Sequence, residues 1–296
     1  MNKLTRRFRA TDILYIIMMI LPISVSIVIK ILTTPASEGI SISGARIFFR
    51  IPAPIQELLI TESQVNSAMV ILSLFFLCRY LTHGIEEGAW LKRHHLAEIL
   101  VEKCNAMTVG NMGDYFKNFS PFVAAILALS GFSSLITLFG LYPPTSDVNI
   151  VAGWAVLVFI LITYYKMKCG PIEYAKSFAN PPLMAPLNII SEIATPISMA
   201  FRHYGNVLSG SVISVLVAAG LSGLSNLIFG ALPGFLGEIP FLQVGLPAIL
   251  SIYFDIFSGC LQAYIFAMLT MLYISGGFPL ELYKERKAKK AQKCRK

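Results

Sequence analysis

Two polar stripes interrupt otherwise apolar sequence in the last third of the chain. The segment from Ile197 to Leu216 reads ISMAFRHYGNVLSGSVISVL, and at 100° per residue a helix puts Arg202, Asn206, Ser209 and Gly210 on one face. Further on, Asp255, Gly259 and Gln262 form a comparable line, because seven residues of α-helix return to within ~20° of the start. An arginine in hydrocarbon costs at least ~2.5 kcal/mol, and a guanidinium cannot escape that cost by losing its proton. Such a residue either makes a structural ion pair or supplies a fixed positive charge that acts on something else. Beside an acid, that charge favours the carboxylate and lowers its pKa. No acid stands three or four residues from Arg202, and Glu192 is ten residues upstream, beyond Pro196. The counter-charge is therefore expected on another polypeptide.

The neighbouring polar residues have plainer readings as well. Asn206 and Gln262 suit interhelical hydrogen bonding, and Asp255 suits a hydrogen-bonded acid of the core. His203 points about 100° away from Arg202 and reads as a packing residue. His94 and His95 lie together on a basic segment with no HExxH pattern, so surface positions are expected. Ser209 and Ser211 lack the setting of a hydrolase nucleophile, since Val207 opens the VLSG stretch. No GxxxxGK[ST] loop occurs, which argues against a nucleotide site and against an enzyme. The five cysteines are odd in number and scattered, with no CxxC pair, so neither a disulfide framework nor a zinc site is indicated, and no cofactor or metal is expected.

The elements that must position these residues follow from composition. Of the 296 residues 55% are hydrophobic and 14% charged, far from the balance of a soluble domain and typical of an integral membrane protein. Apolar runs near 12–32, 64–83, 119–142, 150–168, 186–230 and 241–276 predict an all-α membrane protein with six hydrophobic helical segments. The last two are far longer than the ~20 residues that span a bilayer, so both are expected to lie steeply inclined. Small residues along their polar stripes allow another helix to approach closely. Pro196 is expected to kink the fifth segment.

The net charge of +8 is a topology signal rather than a nucleic-acid signal. Of the 24 lysines and arginines, all but Lys30, Arg46, Arg50 and Arg202 fall on the side that holds both termini, which the positive-inside rule places in the cytoplasm. The chain then divides into an N-terminal transmembrane anchor (1–35), an outer-face loop (36–63), a membrane core (64–276) and a basic cytoplasmic tail (277–296) suited to anionic lipid. The outer loop alternates apolar and polar residues around Pro52 and Pro54 and reads as extended or interfacial. Between 81 and 116, acids and bases interleave with Leu96, Ile99 and Leu100, as in an amphipathic helix on the cytoplasmic membrane surface. Spans three and four read as a tight hairpin whose turn carries Pro143 and Pro144, with Ser146 or Asp147 capping the following helix.

The segments ATPISMAFRHYGNVLSG and LQAYIFAMLTMLYIS together resemble subunit a of the membrane sector of F-type ATP synthase, and GLYPPTSDVN and PLMAPLNIISEIATPIS are similar to two further stretches of that family. The resemblance covers roughly residues 60 to 276. It implies an ion-translocating stator subunit with two offset half-channels, in which Arg202 is the essential arginine facing the carboxylates of the c-ring. Asn206 would be its neighbour, Gln262 would face it from the last helix, and Asp255 would stand in the half-channel open to the outside. Ser211 departs from members that carry a glutamate there, which leaves Asp255 as the titratable group of that channel. The implied partners are the c-subunit ring, b-type peripheral stalk subunits, the F1 sector and membrane lipid, in a bacterial inner or plasma membrane. The coupling ion, proton or sodium, is left open. A stand-alone ion-coupled secondary transporter is the alternative; its usual mark, repeat symmetry with broken helices in matching halves, is not visible.

Overall fold

The computed structural model describes residues 10–33, 44–52, 54, 57–85, 92–168, 170–171, 174, 185–229, 245–278, 280 and 283–284. Helix α1 (Ala10–Thr33) runs on through Pro22. Strands β1 (Ile47–Ile51) and β2 (Leu58–Thr61) follow as an antiparallel hairpin, with Arg50 opposite Leu59 and a bulge between Ile47 and Phe49. The alternating sequence here is thus extended, as its pattern predicts. Helix α2 (Glu62–Thr82) begins directly from β2 at a capping box in which Thr61 and Gln64 bond reciprocally. Helix α3 (Lys92–Met112) occupies the mixed-charge segment. After a 3₁₀ turn (Asp114–Phe119) come α4 (Ser120–Leu135) and α5 (Val148–Lys168). The last third holds α6 (Ala185–Phe229), α7 (Leu246–Ser251), a π-helical stretch (Ile252–Ser258) and α8 (Gly259–Gly276).

Six helical stretches are long and apolar enough to cross a membrane, which makes this an all-α integral membrane protein. At 45 residues α6 rises about 68 Å, more than twice the ~30 Å of hydrocarbon. The final stretch, Ile249–Gly276, has 28 residues. Ordinary tilts of ~20° do not absorb such lengths, so the two helices lie inclined in the bilayer. Residues 241–244, where the sixth segment was expected to begin, lie outside the described residues, as does most of the basic tail.

Two expectations need correction. Spans three and four do not form a tight pair: α4 packs chiefly on α8, and α5 chiefly on α6. The reason lies in the connection, where Gly140 ends the 3₁₀ turn after α4 in a left-handed conformation (φ 70°) and a second 3₁₀ turn, Pro144–Ser146, spaces the two helices apart. Of the two proposed caps Asp147 is the one used, its Oδ1 accepting from the Asn149 N–H at 3.0 Å while Oδ2 accepts from Ser63 on α2. Burial and then the Asp147 charge raise the pKa of the neighbouring Tyr142 phenol. The final span is also not uniformly α-helical, since it is π-wound over Ile252–Ser258.

The core lies where α3, α4, α5, α6 and α8 converge, around Val123, Val158, Met199, Phe266 and Met271. Helix α1 packs beside α2 outside this core. A buried ion pair fixes one end of it: Arg93 Nη1 donates to Asp12 Oδ1 at 2.7 Å and Nη2 to the His83 carbonyl at 2.6 Å, with the guanidinium over the Tyr80 ring. Asp12 is 4% exposed. Replacing Arg93 by Met removes its principal counter-charge, and the expected cost approaches ~3 kcal/mol. Thermal melting of the solubilised protein checks this, and Asp12→Asn added to Arg93→Met should recover much of the loss.

Candidate functional site

Arg202 lies in mid-course of α6, a helix that needs no cap nearby because its first and last turns are far away. Its side chain is exposed, and among the described residues it makes no hydrogen bond or ion pair. Among the described residues, the acids of the last two spans, Glu192 and Asp255, are engaged elsewhere. Glu192, on the same helix, accepts from Lys166 Nζ on α5 at 2.6 and 2.7 Å, and the Tyr174 hydroxyl stands 3.5 Å from Oε1. Burial and then the Glu192 charge hold the Tyr174 phenol above its ordinary pKa. Pro196 has no N–H to give the Glu192 carbonyl four residues back, yet α6 continues through it. Asp255 is half-buried and accepts a hydrogen bond from Ser251 one turn earlier.

His203 points about 100° away from Arg202 and is wholly buried. Its ring meets Trp154 of α5 and Phe266 of α8 edge-on, with centroids 6.1 and 5.8 Å away, and Nε2 lies 3.4 Å from Ser130 Oγ of α4. This is the packing role its angular position predicts, and it fixes the rotation of α6. With His203 keyed into three helices, Arg202 must point out of the bundle.

Asn206, one turn beyond Arg202, ties α6 to the end of the π-helical stretch. Its Nδ2 lies 2.6 Å from Ser258 Oγ and 3.4 Å from the Ser258 carbonyl, and the Ser258 hydroxyl reaches Asn206 Oδ1 at 2.9 Å. One glycine lets these helices meet, and a second lets the last span meet α4. A Cβ on Gly210 would fall 2.9 Å from the Phe254 ring, and one on Gly259 would fall 2.7 Å from Ser134 Cβ. Gln262, one turn past Ser258, is 6% exposed and makes no hydrogen bond among the described residues.

The structure therefore brings Asn206 to the last span but, among the described residues, joins neither Arg202 nor Gln262 to any other polar group. The seven-residue return from Asp255 to Gln262 does not hold either. A π-helix bonds each residue to the fifth along rather than the fourth, so each residue turns less than 100° and Asp255 swings out of line with Gly259 and Gln262. Sequence reasoning missed Ser258 and the Lys166–Glu192 pair. The first showed only as one small polar residue in an apolar span, and the second joins residues 26 apart on different helices. What the arrangement offers chemically is a cation on an exposed helix face, without a counter-charge among the described residues and backed by a hydrogen-bonded amide.

Residues 64–275 match the sequence model of one protein family, ATP synthase A chain. The chain is 29% identical over 221 residues to ATP synthase subunit a 1 of Crocosphaera subtropica, covering 73% of this chain and 86% of that one. To ATP synthase subunit a of Legionella pneumophila (strain Corby) it is 27% identical over 221 residues, with 74% and 86% covered. To ATP synthase subunit a of Bacillus velezensis it is 38% identical over a shorter stretch of 135 residues, covering 45% and 53%. The family match opens within α2, so α1 and the β-hairpin lie before it.

Proposed function

The chain belongs to the ATP synthase A chain family, and from that premise we propose that it is the ion-translocating stator subunit of a rotary F-type ATP synthase, with Arg202 as its working charge. The observation that carries this is the state of Arg202: a permanent cation on the outward face of an inclined helix, while Glu192 is held by Lys166 and Asp255 by Ser251. Its partner is then a carboxylate on another subunit, the c-ring.

As each ring carboxylate arrives, the guanidinium favours its ionised form, so the carried ion leaves. The half-buried Asp255, with Ser251, lines the half-channel open to the outside, and the second half-channel leads to the cytoplasm. Arg202 separates the two, because a fixed positive charge repels any cation passing directly between them. Transfer then requires the ring to turn. Gln262, buried on α8, serves as the amide facing the arginine from the last helix. The positive-inside asymmetry places both termini in the cytoplasm of a bacterial cell, next to the F1 sector and the b-type stalk.

Self-sufficiency tests the reading. Purified chain alone in liposomes is expected to carry no proton or sodium current under an imposed gradient, whereas the whole complex pumps on addition of ATP. Solute or ion movement by the isolated chain would favour a stand-alone transporter and sink the stator assignment.

A further inference from the structure

Among the described residues the tie between Asn206 and Ser258 is the polar link across the contact of α6 with the last span, while His203–Ser130 and Lys166–Glu192 hold α6 to α4 and α5. Two inclined helices packed by apolar ridges and small residues have near-equivalent settings about one turn apart, because the grooves repeat with the helical pitch of 5.4 Å. A single polar pair in such a contact selects one setting, since every other leaves its amide and hydroxyl without partners in a medium that supplies none. Here the amide and the hydroxyl each meet the other's donor and acceptor, at 2.6 and 2.9 Å.

The surroundings of Ser258 restrict it further. It closes the π-helical stretch, the next residue is Gly259 in close contact with Ser134 of α4, and one turn before it Phe254 fills the space above Gly210 of α6. The serine is thus held from two helices at once. Asn206 stands four residues from Arg202 on the same helix face, so any slide or rotation of α6 that breaks the pair moves the guanidinium equally.

We propose that Ser258 is a positioning residue for Arg202: through the Asn206 amide it sets the depth of α6 against the last span, and with it the place at which the guanidinium meets the ring carboxylate. This rests on the stator reading of Arg202. Without Ser258, the contact between α6 and the last span samples neighbouring settings, and the charge that separates the half-channels is no longer always between them. Ions then slip without rotation.

The experiment measures ATP-driven ion uptake per ATP hydrolysed in inverted vesicles carrying the whole complex, normalised to assembled complex, together with the passive decay of an imposed ion gradient. Ser258→Ala is expected to lower the uptake ratio about threefold to tenfold, the equilibrium weight of one hydrogen bond, and to speed the passive decay. Asn206→Ala and the double variant should show the same loss as Ser258→Ala, because the two residues act as one unit, and Ser258→Thr, which keeps the hydroxyl, should restore the ratio to within about twofold. Arg202→Ala runs beside them as the reference. Normal coupling in Ser258→Ala beside a dead Arg202→Ala overturns the positioning role alone, and so does reduced assembly with normal coupling in the complexes that remain, or losses that multiply in the double variant. Normal coupling in Arg202→Ala overturns the stator reading itself.

Discussion

Arg202→Ala is expected to abolish ATP-driven ion uptake, by a factor of at least ~100, while leaving the amount of assembled complex unchanged. Both halves follow from the same observation. The side chain is exposed and makes no hydrogen bond or ion pair among the described residues, so its removal leaves no buried group stranded within the chain. Its worth is all in the encounter with the ring. Two unit charges about 4 Å apart at an effective dielectric near 20 interact by ~4 kcal/mol, and at 1.36 kcal/mol per pKa unit that is about three units of help to an ionising carboxylate. Without that help the carboxylate keeps its ion at neutral pH, and release becomes the slow step. Arg202→Lys should fail nearly as fully, because an ammonium is a point charge that lacks the planar fork of donors and yields its proton when desolvated. Proton and sodium signals followed separately in inverted vesicles check the result, and the signal lost identifies the coupling ion. Undiminished uptake in Arg202→Ala would make the arginine structural.

The spans were legible because lipid imposes a length rule that composition alone reports. Each helix must satisfy its backbone internally and cover the hydrocarbon with apolar side chains, so the expected 64–83, 150–168 and 186–230 lie within two residues of α2, α5 and α6 at either end. Which helix packs on which was not legible. A short connection with two prolines suggests neighbours, yet the αL residue Gly140 and the 3₁₀ turn at Pro144 separate α4 from α5; α5 packs on the next helix, α6, and the partner of α4, α8, comes from much later in the chain. Lipid-facing and helix-facing residues are alike apolar, so the sequence carries little of the inside-outside contrast that reveals pairing in water.

The site divides in the same way. The face shared by Arg202 and Asn206 was readable, since both lie one turn apart in the continuous α-helix α6. The face shared by Asp255 and Gln262 was not, because π winding depends on tertiary contacts and leaves no periodic mark in a run of seven residues. Glu192 shows in the sequence only as an acid ten residues upstream of Arg202; Lys166 makes it half of an ion pair. That pair matters to the electrostatics of the site, for it engages the carboxylate of α6, and among the described residues no other acid answers the arginine's charge.

Gly259→Val is expected to reduce the assembled subunit to less than about a tenth of the parent level. The modest Cβ of any substituent would stand 2.7 Å from Ser134 Cβ, an atom anchored to the backbone of α4 that no rotamer change can move aside. The two helices must therefore separate by roughly 1 Å, and overpacking of this kind costs ~1–3 kcal/mol before secondary effects. The secondary effects lie next door. Ser258 moves with Gly259, so its bonds to Asn206 lengthen from 2.6 and 2.9 Å toward the limit of hydrogen bonding, which adds ~1 kcal/mol. A combined loss above ~1.4 kcal/mol already exceeds tenfold. The cause can be isolated by exchanging the two small residues: Ser134→Gly gives back the space that Gly259→Ala takes, at ~1 kcal/mol for a glycine inside α4. Immunodetection in membranes should show Gly259→Ala well below the parent and the pair Ser134→Gly/Gly259→Ala recovering to within about threefold. Recovery would locate the constraint in the α4–α8 contact and, through Ser258, would couple the packing of the core to the setting of α6. If the double variant is instead worse than either single one, the close approach of Gly259 to Ser134 is not what limits this position.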